Sequence, residues 1–419
     1  MQQSGYIKLL KSKDYLPFFI SQVLTNLSDG LLAVAIVYFA IQLQASPWQL
    51  GVITFFVTLS RGFLGPLGGL ISDRMNKKTY LIGIEICRTL LMAGAFVLYI
   101  NDLVDIWGLM VIGTLVSTLF AISVPAAKGI IPKLVADHEL QLANGLIQTV
   151  TWPAFFLGSG FLAIIIPTGI AAWTFLLVAL AFLLSSILLL FIPKRAAQSA
   201  PARQTMIKLN MAAELLQGYR ELKSDSVIHA RVWAYGIFTF FWRGTLQIVI
   251  PLAVISTLNS PAWVYGALMF ANGVAEFIAN LVVGKIRFRK PLVFTFLCEI
   301  LIGLGLLAIF AAFALPVPEV GIFIGVILIG FAAATIDIPL LTVIQKNVAE
   351  QNVGKVISYW FTIGSAGGAL GNLFMGLYFE FVPIQIGTAI LGAVVFVLGL
   401  QMMAWARRNN TFEMPVISG

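Results

Sequence analysis

Long apolar runs constrain this chain more than any other feature of its sequence. A helix needs roughly 20 apolar residues to cross the hydrocarbon core of a bilayer, and about twelve such runs follow one another here. Hydrophobic residues make up 59% of the chain and charged residues 11%, which is more apolar surface than a water-soluble core can bury. We therefore expect an all-α integral membrane protein. The predicted spans are 17–42, 48–71, 79–100, 104–130, 141–166, 170–193, 229–257, 261–284, 291–314, 319–345, 355–380 and 384–406.

The positive charges predict how these spans are oriented. If the N-terminus is cytoplasmic, all but four of the 26 Lys and Arg residues fall in the termini, in cytoplasmic connections or within the first three residues of the spans that follow those connections. Cytoplasmic connections are enriched in Lys and Arg, so we expect both termini in the cytoplasm and the chain in a bacterial inner membrane. The net charge of +8 is then an orientation signal, and we expect no binding of nucleic acid. The four exceptions lie within spans: Arg61, Arg88, Lys128 and Arg243.

The two halves of the chain resemble each other at an offset of 213–215 residues. Ser46 matches Ser260, and Pro125 matches Pro339, each 214 residues further on. Parallel repeats of this kind are typical of transporters with a substrate site between two halves. We predict two parallel-repeat six-helix bundles, 1–193 and 229–419, joined by a cytoplasmic linker with an amphipathic helix at 194–228.

Charged side chains inside spans are costly and indicate functional sites. Asp29 and Arg61 lie at nearly equal depth in the first two spans, and the repeat places Arg243 and Glu276 at equivalent positions with exchanged signs. We predict the ion pairs Asp29–Arg61 and Arg243–Glu276. In one interpretation these pairs only fasten helices. In the other, a carboxylate takes up a proton when its arginine moves away.

Other residues within the spans add candidates for the same sites. Asp337 has no evident partner and precedes Pro339, so the candidates for proton coupling are Asp29, Asp337 and Glu276. Glu85 and Arg88 are three residues apart near the cytoplasmic end of the third span, which predicts a local structural pair. Arginines released from their acids can meet an anionic substrate, and deep tryptophans offer flat apolar contacts. The substrate candidates are Arg61, Arg243, Trp152, Trp242 and Trp360.

Residues that catalyse reactions or bind metals are sparse. His138 and His229 lie in different polar segments, and Cys87 and Cys298 lie inside apolar runs. Neither pair suits a metal site or a disulfide. The sequence also has no nucleophile motif and no phosphate-binding loop. We therefore expect no metal, no cofactor and no enzyme, and the twofold repeat argues against a passive channel.

The connection between the second and third spans is a polar motif, GGLISDRMNKK at 68–78. It resembles the loop signature of the major facilitator superfamily, in which Gly, Asp-Arg, a second Gly and two basic residues follow at fixed spacing. Asn76 stands where the family has the second Gly, which is a mild change because Asn also tolerates a left-handed turn. The residues of this gate motif are Gly69, Asp73, Arg74, Lys77 and Lys78.

Two further stretches resemble one branch of that family. The segment at 124–148 resembles the macrolide-efflux and enterobactin-exporter branch, and the segment at 354–371 resembles its eleventh span. The latter carries closely spaced glycines that permit close helix approach, namely Gly364, Gly367, Gly368 and Gly371.

The resemblance implies a twelve-helix transporter that works by alternating access. It implies a proton-coupled antiporter, driven by the proton gradient alone, that exports a drug-like amphiphile or a siderophore-like carboxylate metabolite. It also implies that Asp73 latches the cytoplasmic side by capping the positive end of a helix near Gly354. The alternatives are an importer of a metabolite, as symporter or facilitator, and a lipid flippase. We expect a monomer whose partners are its small-molecule substrate, protons and bilayer lipid.

Overall fold

A computed structural model describes residues 7–193, 219–220, 223, 226–283, 296–348 and 350–408. No strand occurs in this part of the chain, and nine of its helices are long and apolar enough to cross a membrane. The expected all-α membrane fold is confirmed. The helices are α1 Leu16–Gln42, α2 Pro47–Phe63, α3 Gly65–Arg74, α4 Lys77–Ile100, α5 Ile106–Ile130, α6 Leu140–Ile165, α7 Trp173–Leu190, α8 Ser226–Gly244, α9 Trp263–Val283, α10 Leu297–Ala312, α11 Pro318–Asn347, α12 Glu350–Phe381 and α13 Ile384–Arg408.

The second predicted span consists of two helices, α2 and α3. The helix breaks at Leu64, and a proline occupies the first turn of α3. Proline has no backbone N–H and clashes with the preceding turn, so it starts a helix more readily than it continues one. The pair ends at Arg74, three residues beyond the predicted end.

The seventh span changes its helix type midway. Helix α8 continues as π-helix over Thr245–Val249 and again over Leu252–Thr257. Wide π turns are rare and are frequently found at functional sites. Arg243, one of the predicted site residues, lies two residues before the first of these turns.

The chain forms two compact units. The first holds Met1–Gln44 and Phe56–Ile207, and the second holds Ala45–Phe55 and Lys208–Gly419. The N-terminal part of α2, up to Phe55, therefore clusters with the second unit, although the sequence assigns it to the first half. Most of the predicted linker helix at 194–228 lies outside the described residues.

The N-terminal part of α2 packs closely on α12 within the second unit. A Cβ on Gly51 would lie 2.8 Å from Cα of Gly376, so the two backbones touch. The backbone N–H of Trp48 donates to the Glu380 carboxylate at 2.9 Å. An acidic group at the first turn of a helix satisfies a donor that the helix leaves unpaired.

Many side chains on the helix faces suit a lipid environment. Leu90, Ile164 and Phe191 are each more than 60% exposed. Trp107 and Trp173 lie in the first turns of α5 and α7 and are about half exposed, which is typical of an interfacial tryptophan. The apolar exposure that composition predicts is therefore present in the fold.

Glycines bring helix backbones into contact in both units. In the first unit, a Cβ on Gly30 would overlap the backbone of Phe155, and one on Gly158 would overlap the backbone of Leu27. Helices α1 and α6 therefore touch along their backbones. In the second unit, Gly371 of α12 faces the backbone of α8 in the same way. These contacts agree with the close approach expected from the glycine spacing of the eleventh span.

We expect Gly158→Ala to destabilise the protein because the added methyl would meet the Leu27 carbonyl. Overpacking of this kind costs about 1–3 kcal/mol. The matched control is Gly145→Ala in the same helix, where a Cβ would have no atom within 4 Å. Thermal unfolding of both variants in detergent checks this. A Gly158→Ala midpoint equal to or above that of Gly145→Ala would contradict it.

Candidate functional site

Asp29 is the centre of the charged groups in the first unit. It is buried at the middle of α1, and its Oδ1 accepts a hydrogen bond from Nη2 of Arg88. Nη2 of Arg61 lies 3.7 Å from the other carboxylate oxygen, Oδ2. The structure thus contains the predicted Asp29–Arg61 ion pair, but Arg88 is the closer partner. We call Asp29, Arg61, Glu85 and Arg88 the Asp29 cluster.

The expected placement of Arg88 is wrong. The sequence places it near the cytoplasmic end of its span in a local pair with Glu85, whereas it lies at the middle of the 24-residue helix α4 and is fully buried. Its Nη1 is 3.8 Å from Oε1 of Glu85, so the local contact exists as a second contact. The long arginine side chain reaches from α4 to α1, which a reading of spacing along one helix cannot reveal.

Hydroxyl groups extend the Asp29 cluster to a third helix. Thr25 of α1 donates to Glu85 of α4 at 3.2 Å. The Ser185 hydroxyl of α7 lies 2.8 Å from the Ser21 hydroxyl and 3.2 Å from that of Thr25. Helices α1, α4 and α7 are thereby connected by buried polar contacts. Buried networks of this kind fix the arrangement of helices when their members are paired.

Arg61 differs from Arg88 in its surroundings. Its side chain is 27% exposed, whereas that of Arg88 is 0% exposed. The guanidinium carbon of Arg61 lies 4.0 Å from the centre of the Phe120 ring and 5.8 Å from that of Phe155. Trp152, a predicted substrate residue, is 48% exposed and packs edge-to-face on Phe155. An arginine over aromatic rings forms cation–π contacts.

The second unit gathers a different set of charges around Arg243. The Arg243 guanidinium interacts electrostatically with Tyr235, Glu276 and Asp337. The Asp337 carboxylate interacts with the Tyr235 hydroxyl as well as with Arg243. Oε2 of Glu276 and Oδ1 of Asp337 are both buried and accept no hydrogen bond from the described residues. We call Tyr235, Arg243, Glu276 and Asp337 the Arg243 cluster.

Two expectations about this unit need correction. Among the ion pairs of the described residues, none joins Arg243 to Glu276 within 4.0 Å, so the predicted close pair is a looser cluster. Asp337, which has no evident partner in the sequence, belongs to that cluster. The repeat offset predicts the depth of Arg243 and Glu276 in the membrane and the helix face on which they lie. It does not predict the distance between their charged groups.

Aromatic residues surround the Arg243 cluster. The ring of Trp360 is buried and lies 5.1 Å from that of Tyr235 in an edge-to-face arrangement. Arg243 lies 4.9 Å from the ring of Trp242. Both predicted tryptophans thus lie beside cluster residues.

Tyr235 is a cluster residue that sequence reasoning missed. An uncharged tyrosine in an apolar span does not stand out as a charged residue does. Its position two helical turns before Trp242 places both residues on one face of the span. That shared face is the signal that could have found it.

A further buried acid continues the repeat. Glu299 in the first turn of α10 is 214 residues after Glu85, and both are buried. The Cys298 thiol donates to Glu299 at 2.8 Å, and the Arg231 guanidinium lies 3.6 Å from the centre of the Phe296 ring. Arg231, the third residue of the predicted seventh span, is buried.

The gate motif is partly described. Arg74 is exposed, and Gly69 has room for a Cβ, whose nearest neighbour would be Pro125 at 3.9 Å. Lys78 donates to the carbonyls of Leu190 at 2.7 Å and Ile192 at 2.5 Å, which satisfies the C-terminal end of α7. Its neighbour Lys77 lies 3.5 Å from the Ser72 carbonyl oxygen.

Asn76 does not adopt the left-handed turn that asparagine tolerates. Asn76 has extended backbone angles, φ −62 and ψ 113, and its side chain accepts from the backbone N–H of Thr79 as the N-cap of α4. Asparagine is favoured here for capping and not for a positive φ. The side chain of Asp73 lies outside the described residues, so the predicted latch stays a prediction.

Apolar helices that bury charged groups at mid-depth are typical of membrane transport proteins. The sequence profile of the Major Facilitator Superfamily matches residues 18–371 and 232–418. The chain belongs to the Major Facilitator Superfamily and is a transporter, not an enzyme.

Relatives and solved structures agree with this assignment. The chain is 23% identical over 392 residues to an uncharacterized MFS-type transporter, YfiS of Bacillus subtilis (strain 168), covering 93% of this chain and 92% of YfiS. It is 22% identical over 414 residues to the enterobactin exporter EntS of Salmonella choleraesuis (strain SC-B67), covering 96% of this chain and 95% of EntS. The expected family and branch resemblance are confirmed.

Among solved structures, a POT family transporter in complex with a thioalcohol-conjugated peptide is similar at a TM-score of 0.71 and 14% identity, covering 94% of this chain and 96% of that one. The nucleoside transporter NupG is similar at a TM-score of 0.68 and 16% identity, covering 94% and 98%. At these identities the likeness establishes the twelve-helix fold alone.

We expect Arg88→Gln to destabilise the protein much more than Arg61→Gln. Removing Arg88 takes away the hydrogen-bonded partner of a buried carboxylate, which costs about 3–5 kcal/mol. Removing the part-exposed, longer contact of Arg61 costs about 1 kcal/mol or less. The measurement is thermal unfolding of both variants in detergent.

The control for this comparison is the double change Asp29→Asn with Arg88→Gln, which removes both charges. It should unfold at a higher temperature than Arg88→Gln alone. Equal losses for the two arginine variants would show that Arg88 is not the principal partner of Asp29.

Proposed function

We propose that this chain is a proton-coupled antiporter that exports a small organic molecule across a bacterial inner membrane. The observation that carries the proposal is the Arg243 cluster, in which two carboxylates, Glu276 and Asp337, accompany one guanidinium. With both acids ionised this cluster has a surplus negative charge inside the membrane. One proton shared between the two acids removes that surplus.

The Asp29 cluster supports a different role for the first unit. Its two acids, Asp29 and Glu85, are matched by two arginines, Arg61 and Arg88. A balanced set of charges has no surplus for a proton to remove. We therefore assign proton coupling to Glu276 and Asp337, and substrate contact to the first unit, with Asp29 as a charge that holds the arginines.

Export and orientation rest on other observations. The relative EntS is an enterobactin exporter, and the positively charged connections favour cytoplasmic termini. A substrate with a carboxylate or another anionic group suits the arginines better than a cation does. We propose that the chain works as a monomer, without a cofactor, by alternating access.

Carbodiimide labelling tests the proton site without knowledge of the substrate. Dicyclohexylcarbodiimide modifies protonated carboxyl groups in apolar surroundings, so we expect mass spectrometry to find modification at Glu276 or Asp337 and none at Asp29. Asp337→Asn leaves Glu276 alone with Arg243. The single negative charge of Glu276 is then neutralised by Arg243, so Glu276 should stay ionised and its labelling should be abolished. Glu276→Gln should do the same for Asp337. Labelling of Asp29, or labelling of Glu276 that survives Asp337→Asn, would contradict the assignment.

Inside-out membrane vesicles test direction and coupling. The vesicles are incubated with a metabolite extract of the host cells under a proton gradient that is acid inside, and retained compounds are identified by mass spectrometry. We expect at least one organic anion to accumulate with the wild-type chain and to fall to the level of empty-vector vesicles in Asp337→Asn. Accumulation only under the opposite gradient would indicate an importer. Retention of phospholipid species alone would indicate a flippase.

A further inference from the structure

The Asp29 carboxylate is held unequally by its two arginines. Oδ1 is hydrogen-bonded by the fully buried Arg88. Oδ2 is buried and accepts no hydrogen bond from the described residues, and Arg61 approaches it only to 3.7 Å. Asp29 therefore keeps a counter-ion if the Arg61 guanidinium turns to another anion. Arg61 is the exchangeable partner, and Arg88 is the fixed one.

Arg61 also has the surroundings of a ligand-contacting residue. It lies deep within the membrane-spanning part of the chain, and its side chain is 27% exposed. A part-exposed charge at this depth faces a water-filled cavity, because exposure of a guanidinium to lipid tails is too costly. The ring of Phe120 covers one side of its guanidinium at 4.0 Å, and Phe155 lies at 5.8 Å.

An aromatic surface continues from this point along α6. Phe155 packs edge-to-face on Trp152, with ring centres 6.1 Å apart, and Trp152 stacks on Phe156 at 6.0 Å. Trp152 is one helical turn before Phe155, so both side chains lie on one face of α6. A guanidinium beside such a surface matches a ligand that has an anionic group attached to a flat ring.

We propose that a subsite for an aromatic anion is formed by Arg61, Phe120, Phe155 and Trp152. Arg88 is the positioning residue, because it keeps Asp29 paired while Arg61 binds the anion. This inference rests on the proposed function, of which it names the substrate class. A cation is repelled at this subsite, and a neutral aromatic compound gains only the ring contacts.

Protection of Arg61 from chemical modification tests the subsite. The full-length protein in detergent is treated with p-hydroxyphenylglyoxal, which modifies arginines open to water, and mass spectrometry follows each arginine. The probes are 2-naphthoate and its neutral counterpart 2-naphthamide. We expect Arg61 to be modified and Arg88 to resist. Saturating naphthoate should slow modification of Arg61 about tenfold, and the amide less than about twofold.

Three results would overturn the subsite. They are an Arg61 that resists the reagent in the absence of ligand, a lack of protection by naphthoate, and equal protection by the acid and the amide. The assay measures no transport, so its failure is distinct from failure of proton coupling or of export. Phe120→Leu, which keeps an apolar side chain without a ring, should weaken protection by naphthoate.

The role of Arg88 has a separate readout. In Arg88→Gln, Asp29 depends on Arg61 alone, so we expect protection by naphthoate to be lost and modification of Arg61 itself to slow. Arg88→Lys keeps the charge and should restore protection, which a loss of packing alone would not predict. Full protection in Arg88→Gln would show that Arg88 does not release Arg61.

Discussion

Charge burial inside a bilayer is the constraint on which the rest of this structure depends. A carboxylate buried at this depth is shielded from water, so each such acid must find a counter-ion or a proton within its own helical bundle. Asp29 and Arg88 meet at the middle of α1 and α4, and hydroxyls of α1 and α7 continue from them. These contacts connect three helices through buried polar groups. The position of Arg61 follows from this arrangement.

Backbone contacts through glycine lie next to these charge contacts, on the side of α1 that faces α6. Helices pack at backbone distance only where side chains are absent, and Gly30 and Gly158 provide that between α1 and α6. Gly30 directly follows Asp29, so Asp29 belongs to the turn of α1 that contacts α6. Phe155, which faces Gly30, also carries the ring near Arg61. The same turn of α1 thus contains the backbone contact with α6 and the carboxylate that contacts the two arginines.

The helices, their approximate order and the mid-span positions of Asp29, Arg61 and Arg243 were predictable, because they follow from positions along the sequence: run length, hydropathy and repeat offset. The partners of the charges were less predictable. Asp29–Arg61 followed from equal depth, yet the same argument applied to Arg88, which lies at the middle of α4 and not near its end. Helical spacing pairs Arg88 with Glu85 on the same helix, and it does not indicate the contact of Arg88 with Asp29 on α1. Asp337 was missed as a partner of Arg243 for the same reason, because rotation of a helix about its axis is set by packing.

The repeat preserves positions more faithfully than charges. Glu85 and Glu299 are both buried acids at the 214-residue offset, and the close-packed glycines Gly30 and Gly244 share that offset. Position 302, which matches Arg88, is isoleucine, so the second unit has no arginine at the position of the fixed counter-ion of the first. A unit with matched charges suits reversible binding of an anion, and a unit with a surplus acid suits reversible binding of a proton. If the two sites are coupled, the change in substrate affinity on protonation equals the change in proton affinity on substrate binding, whichever route the coupling takes.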